Sequence, residues 1–289
     1  MVKVSIQHSL RIFNFDSEVE KLVLNNNLKI IKSYPPNEDL KNMDPSIHMR
    51  PNFIIQKTYN IQYKTPEYAV LNTDYIDITN RDFVRVLFYL RLLKKSAVFY
   101  DNKIISEVFE DGKKKFKSNV IKILVSTANL GEPLLISKTE ILELKNIYKG
   151  IKKINNHNTE KFFLALSRLS FGMERILPRD RIIDYITGLE SLYTESNELK
   201  FRLSIFLASI FGNSLKEKEN IYNSINEFYD LRSCIVHGSY SKKCLKLRRN
   251  YLNDKYTEIL EEYLRRSLRS FIENPDNFNK DNLIKQVLK

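Results

Sequence analysis

The feature that most restricts the fold is a change of hydrophobic period near Gly131-Glu132-Pro133. Before it, apolar residues alternate. Phe53, Ile55, Tyr59, Ile61 and Tyr63 share one face of an extended chain, and Gln56, Thr58, Asn60, Gln62 and Lys64 the other, so this strand buries one side only. Residues 2–13 and 28–33 are shorter strand candidates, the latter stopped by Pro35-Pro36. Residues 1 to about 75 thus read as mostly strand. A helix over 81–94 interrupts them, capped by Thr79 with Asp82 reaching back, and strands resume at 97–100. Asp111-Gly112 predicts a hairpin between 104–109 and 113–125.

After the change, apolar residues recur every three or four positions. Ser137 to Glu140 has the form of a capping box ahead of Ile141, Leu142, Leu144 and Ile147, and the helix it opens, 137–154, is either a connector or part of the helical half. Further helices are expected from Thr159-Glu160 to just before Pro178, over 179–194, from Leu199 to a stop at Gly212, and over 215–237. A last one, 253–272, turns Leu260, Leu264, Leu268 and Phe271 inward and Arg265, Arg266 and Arg269 outward. The expected class is α+β, with a β-rich domain at 1–135, sensing or regulatory in role, and an all-α bundle at 136–289. At 43% hydrophobic residues both halves can bury a core.

With 7 glycines and neither G-x-x-x-x-G-K nor G-x-G-x-x-G, the chain lacks a phosphate-cradling loop. Its 2 cysteines, Cys234 and Cys244, are too few for a zinc site and read as reduced thiols. No metal or cofactor is expected. The absence of an apolar signal core or spanning segment predicts a cytoplasmic protein away from membranes. The formal net charge of +12 suits a polyanion such as nucleic acid, or an anionic membrane surface, or is simply a lysine-rich composition.

Residue type, spacing and position converge on chemistry at Tyr229 to Gly238. Ile225, Phe228, Tyr229, Ile235 and Val236 form an apolar stripe, and Arg232 falls within it, where a guanidinium needs a carboxylate, a crevice or a second chain. Asn226, Asp230, Ser233 and His237 line the opposite face. Gly238 is placed to end the helix in the left-handed conformation, leaving His237 at the negative end of the helix dipole. Glu190, on the apolar side of the 179–194 helix, is the expected partner of Arg232, with Arg202 as its rival. That pair either orders the core or serves catalysis. Gly188 on the same helix signals a close crossing. Beyond Gly238 comes the densest basic cluster, with Lys242, Lys243, Lys246, Arg248 and Arg249.

The run Leu231-Arg232-Ser233-Cys234-Ile235-Val236-His237-Gly238, after Gly188-Leu189-Glu190-Ser191-Leu192, resembles the R-x4-6-H motif of the HEPN superfamily, most closely its Apea-like branch. The likeness covers the chain from about Thr159 onward. It implies a homodimer through the helical domain, with two motifs lining one cleft, and metal-independent cleavage of RNA. In that chemistry His237 transfers protons and Arg232 binds phosphate, supported by Glu190, Asp230 and Ser233, while the basic cluster holds the RNA backbone. Active members usually carry Asn, Asp or His directly after the arginine, where this chain has Ser233. Members of this layout are often defence or toxin proteins, so the resemblance also implies an antitoxin or a regulatory ligand. The alternative is a non-catalytic dimer module that binds RNA, nucleotide or protein.

Overall fold

The computed structural model describes residues 2–33, 53–63, 73–121, 133–154, 156–194 and 198–288. The proposed stop at Pro35-Pro36, residues 122–125 of the hairpin and Gly131-Glu132 lie outside them. The described residues show an antiparallel β-sheet followed by helices, the α+β class read from the pattern. They fall into two units, residues 1–148 and 149–289.

In the first unit strand β1 (Val2–Phe13) lies between β5 (Phe53–Tyr63) and β6 (Phe99–Glu110). The antiparallel order is β3-β4-β5-β1-β6-β7, where β3 is Lys21–Asn25, β4 Leu28–Lys32 and β7 Lys113–Ile121. A short parallel pair, β2 (Phe15–Ser17) with β8 (Leu134–Ile136), stands apart from that sheet. The hairpin forms where Asp111-Gly112 predicts it, with φ of 49° and 74° at the two residues. Residues 99–100 and 104–109 are parts of one strand, β6, which Ala97 and Val98 precede.

Ile6, Leu10, Phe53, Ile55 and Ile104 fill one sheet face, over which α1 (Thr73–Leu93) packs. This helix begins earlier than the expected residue 81. Thr79 is therefore no cap: it is fully buried inside the helix, with its hydroxyl 3.0 Å from that of Tyr59. The next helix, α2 (Lys138–Ile151), opens with the expected box, Ser137 and Glu140 each accepting from the other's backbone amide. Its Tyr148 bonds Asn25 and meets the Tyr89 ring edge-on. These contacts place the division between the units after Tyr148, inside α2, rather than after residue 135.

The apolar face also buries charge. His8, Lys57 and Ser106 form one cross-strand row in which His8 Nδ1 lies 2.7 Å from Ser106 Oγ, and Lys57 pairs with Asp82 of α1. Burial first, and then the Lys57 charge, lower the His8 pKa from 6.5 to about 4. Below pH 6.5 the unfolded chain takes up a proton here that the folded chain refuses until about pH 4. Stability is therefore full above pH 6.5 and falls as pH drops through that window, by about 3 kcal/mol in total. Urea unfolding of wild type and His8→Gln at pH 7.5, 6 and 4.5 checks this. The variant should lose that part of the slope.

The second unit is helical. It holds α3 (Asn156–Glu174), α4 (Pro178–Tyr193), α5 (Leu199–Phe211), α6 (Leu215–Val236), α7 (Lys242–Tyr251), α8 (Asp254–Glu273) and α9 (Lys280–Val287). Gly188 of α4 is a close crossing: a Cβ there would lie 2.8 Å from a Leu264 methyl and 3.1 Å from Arg168 Cβ. Two polar groups inside the bundle escaped sequence reasoning. Asp184 is buried and accepts from Arg168 at 2.8 Å and Arg175 at 3.0 Å. Arg265, expected to face outward, is buried against Glu261 at 2.5 Å, and Tyr185 donates to the same carboxylate at 3.1 Å. The buried face of α8 is wide enough to take in both Glu261 and Arg265, and a guanidinium stays there only with such a partner.

Candidate functional site

The site is built on the last two turns of α6 and the helix that follows. The buried face of α6 carries Ile225, Phe228, Leu231 and Cys234, which rotates the core stripe away from the expected line through Val236. Val236 is 50% exposed, and Arg232 stands at the margin of the buried face rather than in its middle. The expected partner is in place: Glu190 Oε2 of α4 lies 3.6 Å from the Arg232 guanidinium, and Arg202 takes no part. With side-chain exposures of 27% for Arg232 and 14% for Glu190, the pair is half-sheltered.

The pair is held by charge but not saturated. Arg232 Nε and Glu190 Oε1 are buried without a hydrogen-bond partner among the described residues. Tyr229 closes the cluster, its ring centroid 6.0 Å from the guanidinium carbon. Burial, and next the Glu190 charge, push the Tyr229 hydroxyl above its ordinary pKa.

His237 caps α6 in a near-helical conformation, its amide donating to Ser233 O at 3.0 Å, and its side chain is exposed. Gly238 follows at φ 61°, the left-handed stop read from the sequence. Side chains five residues apart on a helix diverge by about 140° and sit about 7.5 Å apart along the axis. Arg232 and His237 of one chain therefore flank the end of α6 from different sides. Ser233 is half-buried between them.

Asp230 serves differently from a titrating neighbour of His237. Its oxygens accept from Lys200 of α5 at 2.6 Å and from Lys243 of α7 at 2.7 Å. Burial opposes the carboxylate's charge, but the two lysines outweigh it and hold the pKa below the usual range. The carboxylate thus clamps three helices together.

The basic cluster is itself a helix, α7, capped by Ser241, whose Oγ accepts from the Cys244 amide at 3.3 Å. The spacing of Cys244, Leu247 and Tyr251 was the missed helical signal. Lys242, Lys246 and Arg249, at steps of four and three, form one exposed edge of it. The other two members of the cluster are engaged. Lys243 binds Asp230, and half-buried Arg248 donates to Cys234 O at 3.1 Å, with its guanidinium carbon 5.1 Å from the Tyr240 ring. Arg248 thereby satisfies the C-terminus of α6 instead of facing solvent.

The two cysteines are not the reduced thiols expected from the sequence. Cys234 and Cys244 form a disulfide, because the left-handed Gly238 and the turn to Ser241 fold α7 back and bring their Cα atoms to 5.7 Å. Among the described residues no group of three or more His, Cys, Asp or Glu side chains is placed to hold a metal ion. No helix among them is long and apolar enough to cross a membrane.

The chain matches no family model, no curated protein and no solved structure. The site offers a fixed planar cation, an exposed imidazole at a helix end and a cationic edge, a set suited to binding a phosphodiester and moving protons beside it.

Proposed function

We propose that the helical unit is a metal-independent endoribonuclease of HEPN type, Apea-like in its motif, acting as a regulated defence or toxin effector. The observation that carries this reading is that the last two turns of α6 present a Glu190-held Arg232 and an exposed His237, followed in the chain by the open basic edge of α7. Because Arg232 and His237 of one chain diverge, a complete site needs a second copy, and exposed Val236 and Tyr240, at 50% and 73%, supply apolar surface for it. Across such a dimer one His237 takes the proton of the ribose 2'-hydroxyl as that oxygen attacks phosphorus. The other gives a proton to the 5'-oxygen as its bond to phosphorus breaks. Arg232 holds the charged oxygens of the phosphorane.

The test is the chemistry of the ends left on a single-stranded RNA incubated with the full chain. Fragments with 2',3'-cyclic phosphate and 5'-hydroxyl ends support the mechanism; fragments with 3'-hydroxyl and 5'-phosphate ends count against it.

Backbone binding is assigned to Lys242, Lys246 and Arg249. Replacing all three with glutamine should weaken RNA binding and reduce the slope of log affinity against log salt by about 0.7 per lost phosphate contact. Fluorescence anisotropy between low and moderate salt reads both. An unchanged slope would move the RNA elsewhere.

A further inference from the structure

The turn that carries His237 is covalently tied to the basic helix. The disulfide joins Cys234, in the last turn of α6, to Cys244, in the first turn of α7, and both residues are buried. These are the chain's only 2 cysteines. The other fastenings of α7 among the described residues are noncovalent, and include the Lys243 bond to Asp230, the Arg248 bond to Cys234 O, the buried Leu247, and Tyr251, which bonds Glu227 and packs its ring on Phe228 and Tyr256. A helix of 10 residues does not hold its shape alone in water. The core of the unit does not depend on α7, since α4 packs against α3 and α8, and α5 against α6. Opening the bond would therefore loosen α7 locally and leave the bundle standing.

We propose that Cys234 and Cys244 are a thiol–disulfide exchange site, whose redox state sets the order of α7 and so the grip of the helical unit on an RNA backbone. The effect on RNA rests on the nuclease reading; the effect on α7 does not. The co-reactant is a dithiol reductant. As the α6–α7 turn opens locally and exposes the buried sulfurs, its thiolate attacks Cys234 Sγ, the bond between the two protein sulfurs breaks, and Cys244 leaves as a thiolate. The amide dipoles of the first turn of α7 stabilise that leaving charge. The second thiol of the reductant then resolves the mixed disulfide. Two electrons and two protons pass from the reductant, which becomes a cyclic disulfide, to the protein, which gains two thiols.

The full chain is treated with dithiothreitol under native conditions, thiols are counted by alkylation and mass, and amide hydrogen exchange and RNA binding are measured in both states. The structure leads us to expect two new thiols, a loss of protection of about tenfold or more confined to residues 242–251, and RNA affinity lowered about fivefold. The double variant C234S/C244S should reproduce the reduced state without reductant. A bond that resists reduction in the folded protein overturns the proposal, as does unchanged protection of 242–251 in both the reduced chain and the variant. If RNA is neither bound nor cut in either state, the nuclease reading fails, while the exchange data still decide the redox site.

Discussion

His237→Ala should lower the rate of RNA cleavage by about 10³-fold or more while leaving folding and self-association intact. The side chain is exposed, caps α6 through its backbone amide and is followed by a glycine that ends the helix by itself, so alanine takes nothing from the core. A general acid–base group contributes about 10²–10⁴ in rate. In a dimeric site each copy loses its imidazole, so the effect lies toward the upper end of that range. Circular dichroism and light scattering establish that the variant is folded and associated as wild type. Cleavage at the wild-type rate would remove His237 from the mechanism.

Arg232→Ala should cost about 10³-fold in kcat/KM, through lost charge on the phosphorane, and also reduce stability. The two effects have separate origins. Stability falls because Glu190, only 14% exposed, is left without a cation, at about 1–3 kcal/mol. Catalysis falls because no donor fork remains at the phosphate. Arg232→Lys keeps the ion pair with Glu190 but not the planar fork, so it should recover most of the stability and little of the activity. Glu190→Gln separates them from the other side. It removes the charge that fixes Arg232 without removing the guanidinium, so cleavage should fall far less than in Arg232→Ala. Equal activity in Arg232→Lys and wild type would reduce Arg232 to a point charge that orders the bundle.

Much of this fold was written in local pattern. The Ser137 to Glu140 box, the Asp111-Gly112 hairpin and the stop at Gly238 each depend on neighbours within a few residues, and each forms where the pattern places it. The pairing of Glu190 with Arg232 was legible for another reason: two charges on apolar helix faces have few ways to be satisfied. What stayed hidden depends on chain reversal, on a partner from elsewhere, or on how wide a buried helix face turns out to be. The disulfide needs the turn at Gly238 to bring α7 back. Arg265 needs Glu261 to share a buried face wider than a simple stripe, and Thr79 needs Tyr59 from the sheet. Arg248 looked like one more surface cation, because the carbonyl it binds becomes a neighbour only once α7 has folded against α6.

The central claim is that the end of α6 carries a phosphodiester-cleaving site worked by protein side chains alone. The direct measurement is incubation of the purified full chain with single-stranded RNA in excess EDTA, in parallel with His237→Ala. Fragmentation by wild type and intact RNA with the variant is the result expected. RNA left intact by wild type, or cut equally by the two, would contradict the account.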